Sequence, residues 1–400
     1  RPVFGDLWGY DGGYRTNPLQ GVCAQVVSTC RSLVRRTYGR IRTAVPYRRF
    51  AKLKGCAVSG ITLNPSFNIA DRAVGEGEPV FIIAEAGVSH FGDMDLARQL
   101  VQLAAAAKAD AFKTQFFDVD ALIARSAPEW RERLRPRNLS LDQARELKKM
   151  CDSLGILFMA TAHDDTRLPW LEELDVPAVK VGSGERNNPG FLKRLAALGK
   201  PMIVSTGMYR EKDVAEAVEA CAAGGCDRLA LLHCVTSYPT PPHEVNLKAM
   251  DRLREIFPGP VGYSDHTADG LAVLAAVARG ACLVEKHITI LRDVPNAQDW
   301  KVSAGPENFA ALVSDIRRVE SLLGHGHKEP ASCEAAGTAW ALKSLVAVRD
   351  LPAGHVLKAA DLVAKRPGNG IPSSELPRVL GLALNRPLAM DEALLPENLS

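Results

Sequence analysis

From about residue 80 onward, short β-rich runs alternate eight times with stretches of helical period over roughly 240 residues, and few folds accommodate that order. The runs are Val80–Ala84, Ala111–Thr114, Ile156–Thr161, Ala178–Val181, Met202–Ser205, Leu229–His233, Val261–Ser264 and Leu283–Lys286. Between them lie amphipathic segments such as Asp93–Lys108, with Leu96, Leu100, Val101, Leu103 and Ala104 on one side, and Ser140–Leu154, opened by an N-capping Ser. The pattern predicts an α/β protein built on a closed (β/α)8 TIM barrel. An open doubly wound sheet would carry a Gly-rich dinucleotide turn after its first strand, and G-x-G-x-x-G is absent.

The alternation ends near Leu323, and the turn-rich Gly324–Pro330 follows. Beyond it the hydrophobic period changes: Ser344–Val348 reads as a strand, Asp350–Gly354 as a turn, and Lys365-Arg366-Pro367-Gly368-Asn369-Gly370 as a rigid loop before a short helix. The expected organisation is therefore a basic, poorly ordered extension over 1–70, a barrel over 75–323, a linker over 324–342 and a small β-rich domain over 343–400.

Charge supports that division. Residues 1–60 hold eleven Lys or Arg against Asp6 and Asp11, a net +9 that leaves −6 for the rest of a chain whose total is +3. An Arg-rich, acid-poor start fits an organellar transit segment, a nucleic-acid arm or a start upstream of the folded protein, and a poorly ordered extension without chemistry is preferred. The longest apolar runs, such as Leu271–Ala278, fall short of the roughly 18 residues that span a bilayer. Nine cysteines occur without a C-x-x-C pair, and Cys151, Cys234 and Cys282 sit among apolar residues as small core side chains, which points to a reducing, cytoplasmic setting. The pair Cys221 and Cys226 straddles Gly224-Gly225 and reads as a helix end.

In such a barrel the chemistry lies at the carboxyl ends of the strands. Those ends carry Glu85, Lys113 with Gln115, Thr161, Lys180 with Ser183 and Glu185, Ser205, Tyr238, Ser264 with His266, and His287. Singly, each fits a solvated or capping role. Together, the Lys113 and Lys180 ammoniums with the hydroxyls of Thr161, Ser183, Ser205 and Ser264 suit an anion such as phosphate, with glycines admitting backbone N–H groups. His266 and His287 end neighbouring strands, where two imidazoles can meet one Mn2+, Fe2+, Co2+ or Zn2+; the same spacing fits two satisfied rim histidines. Glu85 and Glu185 are the acid/base candidates.

Taken in order, Ile83–Gly92, Lys180–Asn188, Ser205–Met208, Leu232–Cys234 with Tyr238–Pro241, Gly262–Thr267 and Glu285–His287 closely resemble the sialic acid synthase family. Lys365–Gly370 resembles the antifreeze-like (SAF) domain that follows the barrel in that family. The resemblance covers residues 75–395. It implies metal-dependent condensation of phosphoenolpyruvate with an N-acetylated hexosamine, either N-acetylmannosamine or a 2,4-diacetamido hexose, with release of phosphate, as in surface polysaccharide biosynthesis. By the same resemblance Lys180, Thr161, Ser183, Ser205 and Ser264 would hold phosphoenolpyruvate, and Lys113 and Gln115 would line the junction of the two substrates. His266 and His287 would bind Mn2+ or Mg2+, Glu185 would handle a water proton, and Glu85 and Tyr238 would contact the sugar. The SAF domain would close the other subunit's barrel in a domain-exchanged homodimer, bringing Arg366 to the partner's sugar. Ser89, Phe116, His163, Thr236 and the loop Val294–Trp300 depart from the family pattern, mainly on the sugar side, so the reaction class reads more firmly than the acceptor.

Three other readings remain at this stage. A Schiff-base aldolase would use Lys180 or Lys113 as nucleophile on a pyruvate-like substrate. A non-catalytic, carbohydrate-binding barrel would keep the fold without the reaction. Nucleic-acid binding by residues 31–54 would rest on Arg density with little aromatic interleaving beyond Tyr38, Tyr47 and Phe50, and is not favoured.

Overall fold

The computed structural model describes residues 61–400. The basic segment 1–60, and with it the expectation of poor order there, lies outside the described residues.

An antiparallel hairpin comes first, β1 (Phe67–Ile69) paired with β2 (Arg72–Val74). Eight parallel strands follow: β3 (Phe81–Gly87), β4 (Ala111–Phe116), β5 (Leu157–Ala162), β6 (Val179–Val181), β7 (Met202–Ser205), β8 (Leu229–Cys234), β9 (Val261–Asp265) and β10 (Leu283–His287). Each pairs with the next, and β10 returns to β3 to close the barrel. All eight fall within three residues of the sequence expectation at each end, and β7 matches it at both.

Helices return the chain between strands, and their ends are set locally. Asp93 caps Met94–Ala106 by accepting from the backbone N–H groups of Asp95 and Leu96. Ser140 and Gln143 form a reciprocal capping box on Leu141–Leu154, which stops at Gly155, in the left-handed region at φ 70°. The layer between sheet and helices is packed by side chains such as Ile82, Phe112, Phe158, Leu100 and Leu147. The barrel's own lumen is filled at its floor by Phe81, Ile83, Ala111, Met159, Ala178, Ile203, Ala230 and Leu283. Phe67, Ile69 and Val74 of the hairpin join that same cluster, so the hairpin plugs the floor. Phe67, Ile69 and Val74 are buried in this way, so the hairpin packs with the barrel although the expected extension ran to residue 70; the short run and the basic segment before it obscured that.

Within the expected linker, Ala335–Ala341 forms a helix. The C-terminal domain pairs β11 (Ser344–Ala347) with β12 (Leu362–Lys365) over a core of Leu345, Leu351, Leu357, Leu384, Leu388 and Leu394. The expected short helix after the Pro-Gly loop is Leu376–Val379. Among the described residues no helix is long and apolar enough to cross a membrane.

Candidate active site

Strand side chains alternate between two faces, so the apolar lumen positions fix what points inward above them. Two residues beyond Ile83, Ala111, Met159, Ala178 and Ile203 stand Glu85, Lys113, Thr161, Lys180 and Ser205. The same step carries Leu232 to Cys234 and Leu283 to Glu285. On β9, Gly262 leaves room where a Cβ would meet the Leu283 carbonyl and Leu232, and Ser264 is the next inward residue. An apolar floor thus becomes a continuous polar layer, every member of it buried.

The layer is tightly paired. Lys113 Nζ lies 2.6 Å from Glu85 Oε2 and 3.7 Å from Glu285 Oε2, and donates to Thr161 Oγ1 at 3.1 Å. Lys180 Nζ donates to Ser205 Oγ at 2.7 Å and to the Val181 carbonyl at 3.1 Å, and sits 3.5 Å from Glu285 Oε1. That Glu285 oxygen also accepts from Ser264 Oγ at 3.0 Å. Gln115 Nε2 donates to Glu85 Oε1 at 2.9 Å. Ser183 Oγ accepts from the Gly207 N–H at 2.9 Å; a Cβ on Gly207 would stand 2.7 Å from it and 2.3 Å from Thr236 Oγ1, which is why glycine occupies this position.

Two neighbouring carboxyls are driven apart. Burial alone would raise Glu285, but Lys113 and Lys180 overcome it and hold its pKa at about 2. Glu85 is raised by burial and by the charge of Glu285, against the pull of Lys113. Burial lowers Lys180, while Glu285 and Glu85 keep Lys113 above its ordinary value in spite of burial. Lys113 is thus held between two carboxyls, whereas Lys180 meets a carboxylate oxygen only at 3.5 Å, and that side of the water-poor layer suits a bound anion.

Above this layer sit the histidines. Their ring centres are 5.4 Å apart, and Tyr238 packs 4.1 Å from His266 and 5.8 Å from His287. His266 Nδ1 donates to the Val235 carbonyl at 2.7 Å, which leaves Nε2 unprotonated in the neutral ring. His287 Nδ1 is buried without a hydrogen-bond partner, and burial holds this ring's pKa down at about 4, keeping it neutral at pH 7. An orphaned buried nitrogen on His287, beside the His266 ring whose Nδ1 is spent on the Val235 carbonyl, fits a divalent cation. Among the described residues no group of three or more His, Cys, Asp or Glu side chains is placed to hold one metal ion, so the two imidazoles are the protein donors offered here.

Ten of the residues expected from sequence converge here: Glu85, Lys113, Gln115, Thr161, Lys180, Ser183, Ser205, Ser264, His266 and His287, with Tyr238 packed on the histidine pair. Two do not join the cluster. Glu185 is half-buried in the turn Ser183–Asn187; its Oε2 accepts from Asn188 Nδ2 at 2.8 Å, and it makes no ion pair with either lysine. Arg366, in the C-terminal domain, donates to the Ala341 carbonyl at 3.0 Å and lies 5.8 Å from the Trp340 ring centre.

Three residues not singled out from sequence also face the site. Glu285 shares the inward parity of His287, and that parity was the available signal. Cys234, read as core, has its Sγ 3.6 Å from His266 Nδ1. Asp299, in the loop after β10, exerts its charge on His287 and Tyr238, and no periodicity marks a loop residue.

Comparison with known proteins adds an independent finding. The sequence model of the NeuB family matches residues 100–328, and that of the SAF domain matches residues 343–400. An uncharacterized protein of Methanocaldococcus jannaschii, MJ1065, is 40% identical over 81% of this chain and 94% of its own length. The N,N'-diacetyllegionaminic acid synthase of Legionella pneumophila is 38% identical over 81% of this chain and 96% of its own. Among solved structures, N-acetylneuraminic acid synthetase from Leptospira borgpetersenii, in complex with citrate, is similar with a TM-score of 0.64 at 34% identity, covering 69% of this chain and 96% of that one.

Proposed function

This chain belongs to the NeuB family and is a transferase of the sialic acid synthase type, and on that premise we propose that it joins phosphoenolpyruvate to the open-chain aldehyde of an N-acylated hexosamine. A C–C bond forms between C3 of the enol and the aldehyde carbon, the aldehyde oxygen becomes a hydroxyl, water adds at C2, and phosphate leaves. Phosphoenolpyruvate, aldehyde and water thus become a nonulosonic acid and inorganic phosphate.

The observation that carries this reading is the pair of buried lysines sharing Glu285 among inward hydroxyls. Lys180, Ser205, Ser264, Thr161 and Ser183 bind the enol phosphate and its carboxylate, whose negative charge meets the Lys180 ammonium and the hydroxyl donors around it. Glu285 orients both ammoniums. Glu85, with its raised pKa and its contact to Lys113, is placed to give up or take a proton as the aldehyde oxygen and the water change charge. That role was expected of Glu185, which Asn188 holds outside the cluster. His266 and His287 would hold Mn2+ or Mg2+; a cation bound there supplies Lewis acidity toward a carbonyl oxygen. Tyr238 closes one side and excludes water.

The aldolase reading needs a neutral, nucleophilic lysine. Burial does lower Lys180, yet its Nζ is spent on Ser205 Oγ, a carbonyl and Glu285, a set that favours the ammonium form. The test is phosphate release from phosphoenolpyruvate, Mn2+ and a panel of N-acylated hexosamines, with the product mass read out. A lysine adduct trapped by borohydride with pyruvate, and no phosphate released with any acceptor, would overturn the proposal.

A further inference from the structure

The strand that supplies Thr161 offers one more inward side chain. On β5 the inward places run from Met159 in the floor to Thr161 in the polar layer and then to His163, just past the strand end, whose N–H donates to the Phe116 carbonyl at 2.9 Å and extends the β4–β5 ladder. On β6, next in the barrel, the same step leads from Lys180 to Gly182. A Cβ on Gly182 would stand 3.7 Å from His163 Cε1, and among the described residues, its chain neighbours apart, nothing else lies within 4 Å of that place. The imidazole therefore lies beside the start of the turn Ser183–Asn187, one inward step beyond Thr161 and Lys180.

The ring is half-buried, and neither of its nitrogens makes a hydrogen bond among the described residues. In the neutral form it keeps one N–H donor and one acceptor for a ligand. The charges that bear on it are Lys113 on β4, Lys180 on β6 and Asp164, which follows it in the chain. Asp164 is committed to the loops: its Oδ2 accepts from the Asp118 N–H at 2.6 Å and its Oδ1 from the Thr166 N–H at 2.9 Å. Burial first, then Lys113 and Lys180, outweigh Asp164 and hold the His163 pKa at about 4, so the ring is neutral at pH 7. An anion drawn to Lys180 and Ser183 reverses that balance, because it offsets the two ammoniums and sets its own negative charge against the ring.

We propose that His163 is a further substrate-binding residue of the reaction, one that takes up a proton as the phosphate group of phosphoenolpyruvate enters and, as imidazolium, donates to a phosphate oxygen. The inference rests on the synthase reading above and adds to it a coupling of substrate binding to pH. A permanent cation at this place would stand beside Lys113 and Lys180 with no carboxylate of its own, at a cost in stability. A ring that charges only when the anion arrives avoids that cost and still presents a third positive group to the bound phosphate. Such a charge-assisted bond is stronger than the one a neutral ring would make.

The test is calorimetry of phosphoenolpyruvate binding to the full chain, in buffers of different ionisation enthalpy, which counts the protons taken up. The ligand's own titration cancels between proteins that differ at one residue. His163→Phe keeps a ring of similar volume and should take up about one proton fewer than the wild type at pH 7. Its Kd should be about tenfold above the wild-type value at pH 6.5 and within about twofold of it at pH 9, where the wild type no longer gains the proton. His163→Gln, a neutral hydrogen-bonding replacement, separates charge from packing and should lose the proton and the affinity in the same way. Equal proton uptake by wild type and His163→Phe, a Kd ratio that does not vary with pH, or wild-type affinity at pH 6.5 in His163→Gln overturns the inference. Proton-linked binding that His163→Phe abolishes, with no phosphate released from any acceptor, overturns the synthase reading and leaves this inference standing. Failure of phosphoenolpyruvate to bind overturns both.

Discussion

Glu285 stands between two ammonium groups, with Lys180 Nζ 3.5 Å from Oε1 and Lys113 Nζ 3.7 Å from Oε2. Glu285→Gln keeps the volume and removes the charge, so both lysines lose the group that aims them. We expect kcat/KM to fall by about 100-fold or more in steady-state assays, with the protein still folded by circular dichroism. Gly207→Ala is a finer probe: its new methyl pushes Ser183 Oγ and Thr236 Oγ1, and the KM for phosphoenolpyruvate should rise about tenfold with a smaller change in kcat. Equal KM values in the two proteins would remove Ser183 from the anion site. Most of this site was legible because the strand ends are short, polar and in order. Glu285 went unassigned because a Glu-Lys-His triplet does not announce which members point inward. The alternation from Leu283 decides it, leaving Lys286 on the opposite face with Asp265. Glu185 looked equally promising, and only its neighbour Asn188 in three dimensions separates it from Glu85.

At the level of elements, the eight barrel strands were readable because both their faces are buried, which yields dense apolar runs bounded by turn residues. The hairpin β1–β2 was not, since three-residue strands carry too little periodicity. Its weight in the fold is nonetheless testable: Ile69 is fully buried in the floor cluster, and Ile69→Ala should destabilise the barrel by about 2–5 kcal/mol in urea unfolding. The small domain offers a pH test. Asp361 accepts from His355 at 2.8 Å and from the Lys358 N–H at 2.9 Å and pairs with Arg349; the His355 bond first, then the others, hold its pKa below the ordinary Asp value. A depressed folded pKa gives stability that is present above the unfolded value of about 3.9 and lost as pH falls through the lower folded value. Hydrogen exchange of the 344–365 amides should therefore accelerate in the wild type as pH drops below about 4, after correction for intrinsic rates, and change less in Asp361→Asn.

For the whole molecule, the open question is whether one chain makes a complete site. Arg366 makes its contacts away from the barrel cluster: its guanidinium is exposed, turned over Trp340 and bound to the Ala341 carbonyl, with no carboxylate partner within 4 Å among the described residues. A guanidinium with most of its five donors free, beside exposed Trp340 and Leu342, suits a surface completed by another copy, in line with the domain-exchanged homodimer proposed from the family resemblance. Complementation tests that arrangement directly. Lys180→Met removes the anion site and Arg366→Ala removes the contact offered across the interface, so each homodimer alone should be nearly inactive toward the sugar. If Arg366 acts on the partner's barrel, a mixed dimer carries one site with both defects and one with neither. Co-refolded equal mixtures should then recover roughly a quarter of wild-type turnover, since half of the dimers are mixed and each holds one intact site of two. If Arg366 instead serves its own chain, every site in the mixture is defective once and turnover stays at the level of the single variants.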